Sequence, residues 1–355
     1  MAASLAHLLG IDVPIVLGPF GGLSSVELTA AVSDRGGLGS YGLYGYSAER
    51  IHDTIGALRA ATARPFAVNI WLPTGDEVTP ADVDLEPALQ ALAPLFDAVG
   101  VALPDVPARF LPDPAEQLEA IMDAAPAVLS LVFGAPDPRL VETAHSRGIR
   151  VIGTATTVAE AVALEGAGVD AVVASGAEAG GHRISFLEPA ERSLIGTFAL
   201  VPQVVDAVRI PVIAAGGIAD RRGVAAAFAL GAAGAQVGTA FLRTGESAAT
   251  DAHRRAIATA ADTDTVLTRA MSGRLARGIQ NRATREIETS GVILPFPAQN
   301  WLTGVFRAEA GRKGDGDLVS LWAGQAAGLA TRDAAADVFD DLVAGLPTRP
   351  GGNTA

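Results

Sequence analysis

The run SGAEAGGHR at residues 175–183 ends in the residue types that could carry out chemistry. It follows the apolar run VDAVVA (169–174), so Gly180, Gly181 and His182 come soon after a stretch that reads as a buried strand. Glycine lets a backbone pass close to a ligand because it has no Cβ. An imidazole placed there could donate a hydrogen bond or accept a proton. The competing interpretation is a loop histidine bonded to a neighbouring carbonyl.

Charged residues flank these glycines, and their roles stay open. Glu178 could orient the imidazole or bind a loop amide. Arg183 could attract an anionic substrate or pair with Glu188, and surface pairs of that kind are common but weak. The other four histidines fall on predicted helix faces, as surface or helix-end residues: His7, His52, His145 and His253.

Two later loops have the composition of a phosphate site. AAGGIAD (214–220) places Gly216 and Gly217 before a helix with Asp220 as its cap, and free amides at a helix start attract anions. QVGTAF (236–241) adds Gly238 for close approach and the hydroxyl of Thr239. Either loop alone could be a simple strand–helix corner. Together they fit the phosphate pocket that follows the last two strands of an eight-stranded barrel.

Two side-chain amides occupy similar positions at the ends of apolar runs. Asn69 lies near the end of PFAVNIW (65–71), where its amide could form two hydrogen bonds to a flat heterocycle or shape a turn. Gln236, just before the second phosphate loop, has the same ambiguity.

The composition excludes several kinds of chemistry. The chain has no cysteine, which removes thiolate nucleophiles, disulfides and cysteine metal sites. Its one lysine, Lys313, lies in GRKGDGD, a poor setting for Schiff-base chemistry. No metal-ligand spacing is present. The formal net charge of −13 argues against nucleic acid and anionic membranes as partners. The reaction therefore depends on few residues or on an organic cofactor.

No stretch is apolar over the length of a membrane span, and MAASLAHLLGIDVPIV lacks the basic start of a signal peptide. We therefore expect a cytoplasmic protein, as a monomer or homodimer.

Eight apolar runs alternate with helical stretches and predict the elements that must position these residues. They are PIVLGPF (14–20), GLGSYGL (37–43), PFAVNIW (65–71), AVLSLVFG (127–134), IRVIGTAT (149–156), VDAVVAS (169–175), IPVIAAGG (210–217) and AGAQVGTAF (233–241). Eight strand–helix units close into a (β/α)₈ TIM barrel. An open doubly wound sheet is the rival, but no GxGxxG loop opens a helix after the first strand.

Two segments exceed what a bare barrel needs. We predict a (β/α)₈ barrel over 1–243 with an excursion at 76–113, and a small, mostly helical cap over 244–328 that forms a substrate subdomain. A final barrel helix at 329–348 and a frayed tail at 349–355 complete the prediction.

These residues resemble the FMN-dependent nitronate monooxygenases, also called 2-nitropropane dioxygenases. The resemblance covers most of the chain, and EAGGH is its most specific piece, shared with flavin-dependent enoyl-acyl-carrier-protein reductases and related quinone reductases. It also includes PIVLGPFGGLSSVELTAAVSDRGGLGS, PFAVNIW, VIAAGGIADRRGVAAAFALGAAGAQVGTAFL, SGRLARGIQN and LWAGQ. The run HRISF departs from the family, in which a glycine often follows the arginine.

The resemblance implies a barrel that binds FMN without a covalent bond. The residues implied near the ring and ribityl chain are Pro19, Phe20, Gly21, Asn69, Gly180 and Gly181, and those implied at the phosphate are Gly216, Gly217, Gly238 and Thr239. Ser175 and Gln236 match strand ends of the site. His182 matches the histidine beside the flavin N5, which binds the substrate by hydrogen bonding or acts as a base.

The implied reaction is oxidation of an alkyl nitronate by O₂ to a carbonyl compound and nitrite. A nitroalkane would also serve if His182 first removed its α-proton. One alternative is an NAD(P)H-dependent flavin reductase that acts on a quinone or an enoyl thioester. Others are a flavin-free lyase or isomerase acting on a phosphorylated metabolite, and a binding protein without catalytic activity.

Overall fold

The computed structural model describes residues 4–347, and the predicted tail at 349–355 lies outside the described residues. The apolar runs of the sequence form strands, and three further short strands appear. In chain order they are β1 (Ile15–Leu17), β2 (Gly39–Gly42), β3 (Phe66–Trp71), β4 (Val128–Val132), β5 (Arg150–Ala155), β6 (Ala171–Ser175), β7 (Gly181–His182), β8 (Val212–Ala215), β9 (Gly234–Val237), β10 (Thr265–Thr268) and β11 (Ala276–Ile279).

Eight of these strands form one parallel sheet in the order β1-β9-β8-β6-β5-β4-β3-β2. The sheet closes because β1 also meets the chain just before β2: Leu17 N–H donates to the Leu38 carbonyl, and Leu38 N–H donates to that of Ile15, both at 2.9 Å. Every one of the eight predicted runs supplies one strand. The prediction of a (β/α)₈ barrel is therefore confirmed.

Helices connect the strands, and nine of the fourteen in the described part of the chain begin at a side chain that caps the first turn. They are α1 (Leu5–Leu9), α2 (Val26–Asp34), α3 (Ala48–Ala61), α4 (Glu86–Val99), α5 (Pro114–Ala124), α6 (Pro138–Ser146), α7 (Val158–Gly166), α8 (Thr197–Ala207), α9 (Arg221–Ala229), α10 (Thr239–Leu242), α11 (Asp251–Thr259), α12 (Arg282–Ser290), α13 (Ala298–Lys313) and α14 (Ala335–Val343). In α7, Thr157 and Glu160 form a reciprocal capping box, which satisfies backbone amides that the first turn leaves free.

The barrel strands are buried on both faces. Val172 of β6 packs in a large apolar cluster with the surrounding helices, whereas its neighbour Val173 lies in a cluster of strand residues with Val16. This split follows from the alternation of side chains along a strand. Leu5 and Leu9 of α1 belong to the same cluster as Val173. Helix α1 therefore covers the end of the barrel where the strands begin. The opposite end stays open to a ligand.

A second apolar core lies outside the barrel. It joins α4 of the excursion to α12 and α13, and its centre includes Phe96 and Phe306, whose ring centroids are 5.4 Å apart. Strand β11 pairs antiparallel with β10 on one side and with β7 on the other. The excursion and the later helices thus share one core, while the exact boundaries of a cap subdomain stay a prediction.

Helix α14 packs against α2 and α9 and completes the outer ring between the last and first barrel units. Among residues 4–347, no helix combines the length and apolarity needed to cross a bilayer.

Candidate active site

One cavity of about 490 Å³ opens where the barrel strands end. All thirteen residues predicted from the sequence line it: Pro19, Phe20, Gly21, Asn69, Ser175, Gly180, Gly181, His182, Gly216, Gly217, Gln236, Gly238 and Thr239. The carboxyl ends of parallel strands meet at one end of a barrel, which brings together loops far apart in sequence. The structure therefore collects the predicted residues in one place, and their individual roles stay predictions.

His182 is held in a strand rather than in a free loop. Residues Gly181–His182 form β7, in which His182 pairs with Ala276 and Gly181 pairs with Arg277. The imidazole Nε2 lies 2.8 Å from Ser272 Oγ. The sequence could not predict this contact, because Ser272 and β11 are some ninety positions away from His182 in the chain.

The hydrogen bonds of Ser272 define the tautomer of His182. Ser272 Oγ lies 3.1 Å from the carbonyl oxygen of Arg274, which can only accept, so the hydroxyl proton is directed there. The same Oγ then accepts from Nε2–H of His182. A neutral imidazole carries one N–H, so Nδ1 keeps its lone pair. His182 is therefore arranged as a proton acceptor.

The surroundings of His182 keep the ring neutral. Burial, and then the positive charges of Arg274 and Arg307, lower the pKa of His182 to about 3. Aromatic rings account for much of that burial: the ring centroids of Trp71 and Trp322 lie 4.9 and 5.4 Å from that of His182. At neutral pH the imidazole is uncharged and offers no positive charge to an anion; it is a weak proton acceptor until a negative charge beside it opposes those of Arg274 and Arg307.

Two histidines with lowered pKa values, the half-buried His182 and the buried His253, predict how stability depends on pH. Burial also lowers the pKa of His253 to about 4, and both pKa values lie below the value of about 6.5 in an unfolded chain. The unfolded state then binds more protons below pH 6.5. We expect the free energy of unfolding to fall as pH drops from about 6.5 to 5, by up to roughly 1.4 kcal/mol per pH unit for each histidine.

Urea denaturation at several pH values measures this dependence. His253→Gln removes one of the two titrating groups, so its stability should change less steeply than that of the parent between pH 6.5 and 5. An exposed histidine, His52, supplies the control His52→Gln, which should leave the slope as it is. An identical slope in His253→Gln and the parent would contradict the prediction.

His253 corrects one expectation. It lies on helix α11 as predicted, but it is buried rather than at the surface. Its Nε2 lies 3.0 Å from the carbonyl oxygen of Trp322. His253 therefore supports the backbone of a residue that lines the cavity.

The glycine loops at the far end of the cavity hold backbone conformations that other residues rarely adopt. Gly216 and Gly217 have φ of +98° and +72°, in the left-handed region that favours glycine. At Gly216, an added Cβ would lie 3.0 Å from Thr197 Oγ1. At Gly180, an added Cβ would lie 2.6 Å from the backbone of Ala323. The close approach at Gly180 is therefore to this chain's own backbone.

The helix start after Gly217 differs from expectation. The carboxylate of Asp220 accepts hydrogen bonds from the backbone amides of Arg222 and Gly223, so those amides are not free for an anion. The hydroxyl of Thr239 accepts from Gly324 N–H at 3.0 Å and can still donate its own proton. An anion at this end would thus depend on the loop backbone and Thr239 rather than on helix α9.

The two amide side chains differ in what they offer. Asn69 is buried, and its Nδ2 lies 3.1 Å from the Ser130 carbonyl oxygen and 3.2 Å from Ser130 Oγ. Only its Oδ1 remains, so Asn69 can accept from a ligand but is not free to make both bonds. Gln236 lies in β9 between Val16 and Ala215 of the neighbouring strands and lines the cavity.

The charged residues beside the glycines have structural partners. Glu178 accepts from the backbone amide and hydroxyl of Thr197, which agrees with the loop-amide alternative. Arg183 does neither of the things expected: it is buried and donates to the carbonyls of Ser175, Gly176 and Ser193. Burial lowers the pKa of Arg183 to about 10, so the guanidinium stays charged at neutral pH. It holds the loop that leads to His182.

Several lining residues were not found from the sequence. Trp71 ends β3, where its position could have been used, and Trp322 comes from the run LWAGQ. Asn300 and Arg307 come from helix α13, which is not part of the barrel. Arg307 is held by Ser320 Oγ at 2.6 Å and by Asn300 Oδ1 at 2.8 Å. It brings a positive charge to the cavity beside His182.

Comparisons with known proteins agree with this arrangement. The family model described as nitronate monooxygenase matches residues 3–345. A probable nitronate monooxygenase from Staphylococcus aureus (strain Newman) is 40% identical over 341 residues, which cover 96% of each chain.

Two solved structures show the same architecture over nearly the whole chain. A nitroalkane oxidase from Streptomyces ansochromogenes is 36% identical with a TM-score of 0.83, covering 94% of this chain and 96% of that one. FabK from Thermotoga maritima is 30% identical with a TM-score of 0.75, covering 97% and 96%. The match of sequence and structure from end to end shows that this chain is an oxidoreductase that belongs to the nitronate monooxygenase family.

Proposed function

We propose that this enzyme uses FMN to oxidise alkyl nitronates and nitroalkanes with O₂, giving a carbonyl compound and nitrite. The observation that carries the proposal is His182, a neutral base with its free Nδ1 beside a cavity lined by the ends of the barrel strands. The names of the Staphylococcus aureus and Streptomyces ansochromogenes relatives support nitronates and nitroalkanes as substrates.

The residues of the cavity fit a flavin mononucleotide. Gly217 and Gly238 have no side chains, so little bulk projects from these loops. Gly217 has a positive φ, and a Cβ added at Gly238 would be in ordinary contact with Phe20. The loop backbone and the hydroxyl of Thr239 are suited to a phosphate. Oδ1 of Asn69 can accept from a ring N–H. A volume of about 490 Å³ lies within the range typical of cofactor sites.

FMN, when bound, would supply the electron acceptor for the oxidation. His182 supplies the proton chemistry: its Nδ1 takes the α-proton of a neutral nitroalkane, and the electron pair of that C–H bond moves onto the nitro group as the nitronate. Ser272 fixes the ring by accepting from Nε2–H. The aromatic rings of Trp71 and Trp322 limit access of water to the base.

Arg307 supplies the charge that His182 lacks. Its guanidinium lines the same cavity and is close enough to lower the pKa of His182. Burial lowers the pKa of Arg307 itself to about 10, so it stays charged at neutral pH. A positive charge at this place stabilises a nitronate, whether it forms at His182 or arrives preformed.

An absorbance spectrum followed by oxygen uptake tests the proposal. We expect a yellow protein, or one that becomes yellow with FMN, that consumes O₂ with propionate 3-nitronate and simple alkyl nitronates and releases nitrite. A colourless protein that takes up no FMN would exclude both flavin functions. Rapid bleaching by NADH without air, with no nitronate-dependent oxygen uptake, would favour the reductase alternative.

A further inference from the structure

A second cavity of about 250 Å³ adjoins the first, and none of the residues predicted for FMN lines it. Tyr44, Gly45 and Trp71 line both cavities. The rings of Tyr44 and Trp71 stack with centroids 4.2 Å apart, and Trp71 is also the ring next to His182. The wall between the cavities is therefore the wall of the reaction site.

The junction between the two cavities is not filled by a side chain. Gly45 has φ of +75°, and a Cβ added there would meet no atom within 4 Å. Gly45 is exposed, so the two cavities meet at an opening to solvent beside the glycine that lines both. A molecule whose reacting group lies beside His182 can extend past Trp71 into the second cavity.

The lining of the second cavity is mainly apolar. It comes from the end of β3, the excursion and the segment before α13, and it includes Leu72, Val78, Phe110, Leu111, Phe296 and Pro297. Burial of a hydrocarbon against such a surface is favourable by the hydrophobic effect.

Three charged side chains beside this cavity are paired with one another. Arg274 Nη2 contacts Asp76 at 2.6 Å and Glu77 at 2.9 Å, and Glu77 also accepts from the amides of Thr74 and Gly75. The guanidinium of Arg274 lies over the ring of Phe296 at 4.0 Å, a favourable cation–π contact. These three groups are engaged with each other, so the space they border suits an uncharged group, whereas Arg109 lines the cavity from an exposed position.

We propose that this second cavity is a substrate subsite that binds the uncharged alkyl tail of a medium-chain nitronate or nitroalkane. The proposal rests on the proposed function, because it places the nitro end of the same substrate beside His182. It makes the excursion at 76–113 a determinant of substrate length.

A chain-length series with the FMN-loaded enzyme tests the subsite. We expect kcat/KM for primary alkyl nitronates to rise roughly two- to fourfold with each methylene beyond ethyl until the cavity is filled. Ala108→Trp and Val78→Trp add bulk at two different points of the lining, and either should flatten the rise while leaving ethyl nitronate turnover unchanged. Val106→Trp adds the same bulk to an exposed residue of the same segment outside the lining and should keep the rise.

A binding measurement without turnover accompanies the series. Calorimetry should show that 1-octanol binds to the parent and to Val106→Trp more tightly than to the two filled variants, Ala108→Trp and Val78→Trp. A flat series in the parent, or a rise that persists in both filled variants, would overturn the subsite although ethyl nitronate is still oxidised. Loss of ethyl nitronate turnover in the parent would instead refute the proposed function. A nitronate with a terminal carboxylate that outperforms its alkyl counterpart would also overturn an uncharged tail.

Discussion

His182→Asn is expected to lower kcat/KM for nitroethane by about 10²- to 10⁴-fold, the usual contribution of a positioned base. Asparagine keeps a donor for Ser272 but has no basic lone pair to replace Nδ1. The preformed ethyl nitronate needs no proton removed, so its oxidation should fall by less than about tenfold, the cost of a lost neutral contact. The measurement is oxygen uptake with each substrate, next to the absorbance of bound flavin.

The comparison of nitroethane with ethyl nitronate separates proton removal from substrate binding. His52→Asn, on the exposed face of α3, is the matched control and should retain both activities. Equal losses with nitroethane and its nitronate would assign His182 to substrate binding instead of proton removal. Full activity of His182→Asn with nitroethane, with FMN still bound, would remove the base from the mechanism.

Gly238→Val should weaken FMN binding by about 10- to 100-fold, which corresponds to a steric cost of 1–3 kcal/mol. Gly238 has φ of −111° and ψ of −76°, at the margin of the right-handed region and outside the left-handed region that favours glycine. Its first added carbon would be in ordinary contact with Phe20, 3.5 Å away. The fold should therefore tolerate the change, while the larger side chain takes space on the cavity wall. FMN fluorescence titration measures the affinity.

Gly56→Val provides the matched control, because Gly56 is exposed on α3 and an added Cβ there meets no atom within 4 Å. Thermal unfolding without FMN should be similar for parent, Gly238→Val and Gly56→Val. Unchanged FMN affinity in Gly238→Val would mean that the cofactor does not use this loop. A large loss of thermal stability would instead assign Gly238 a role in packing.

The barrel and most of its cavity could be predicted because their signals are local. Each strand is a short apolar run ended by glycine or a polar residue, as in VDAVVAS before the glycines at 180 and 181. The eight-unit count then places every strand end at one mouth. Asn69, Gly216 and Gly238 could therefore be assigned to one site without any knowledge of contacts, whereas Pro19 was implied only by the family resemblance.

The predictions that failed concern side chains whose hydrogen-bond partners are backbone groups that only the folded chain brings within reach. Arg183 was expected at a surface or a substrate, but it donates to three backbone carbonyls that are near it only in the folded loop. Asp220 was correctly predicted to cap a helix, yet its carboxylate uses the amides that an anion would have needed. An Asp N-cap occupies these amides, so the predicted cap and the predicted free amides were in conflict.

The sequence by itself determined the eight strand–helix units, the glycine loops and the location of one histidine at the end of β6. Apolar periodicity and glycine are readable because their physical effect acts within a few residues. Only the tertiary structure decided that His182 pairs with β11, that Ser272 leaves the lone pair on Nδ1, and that Arg307 lies in the same cavity. Those contacts join residues about ninety or more positions apart, and the protonation state of an imidazole depends on everything packed around it.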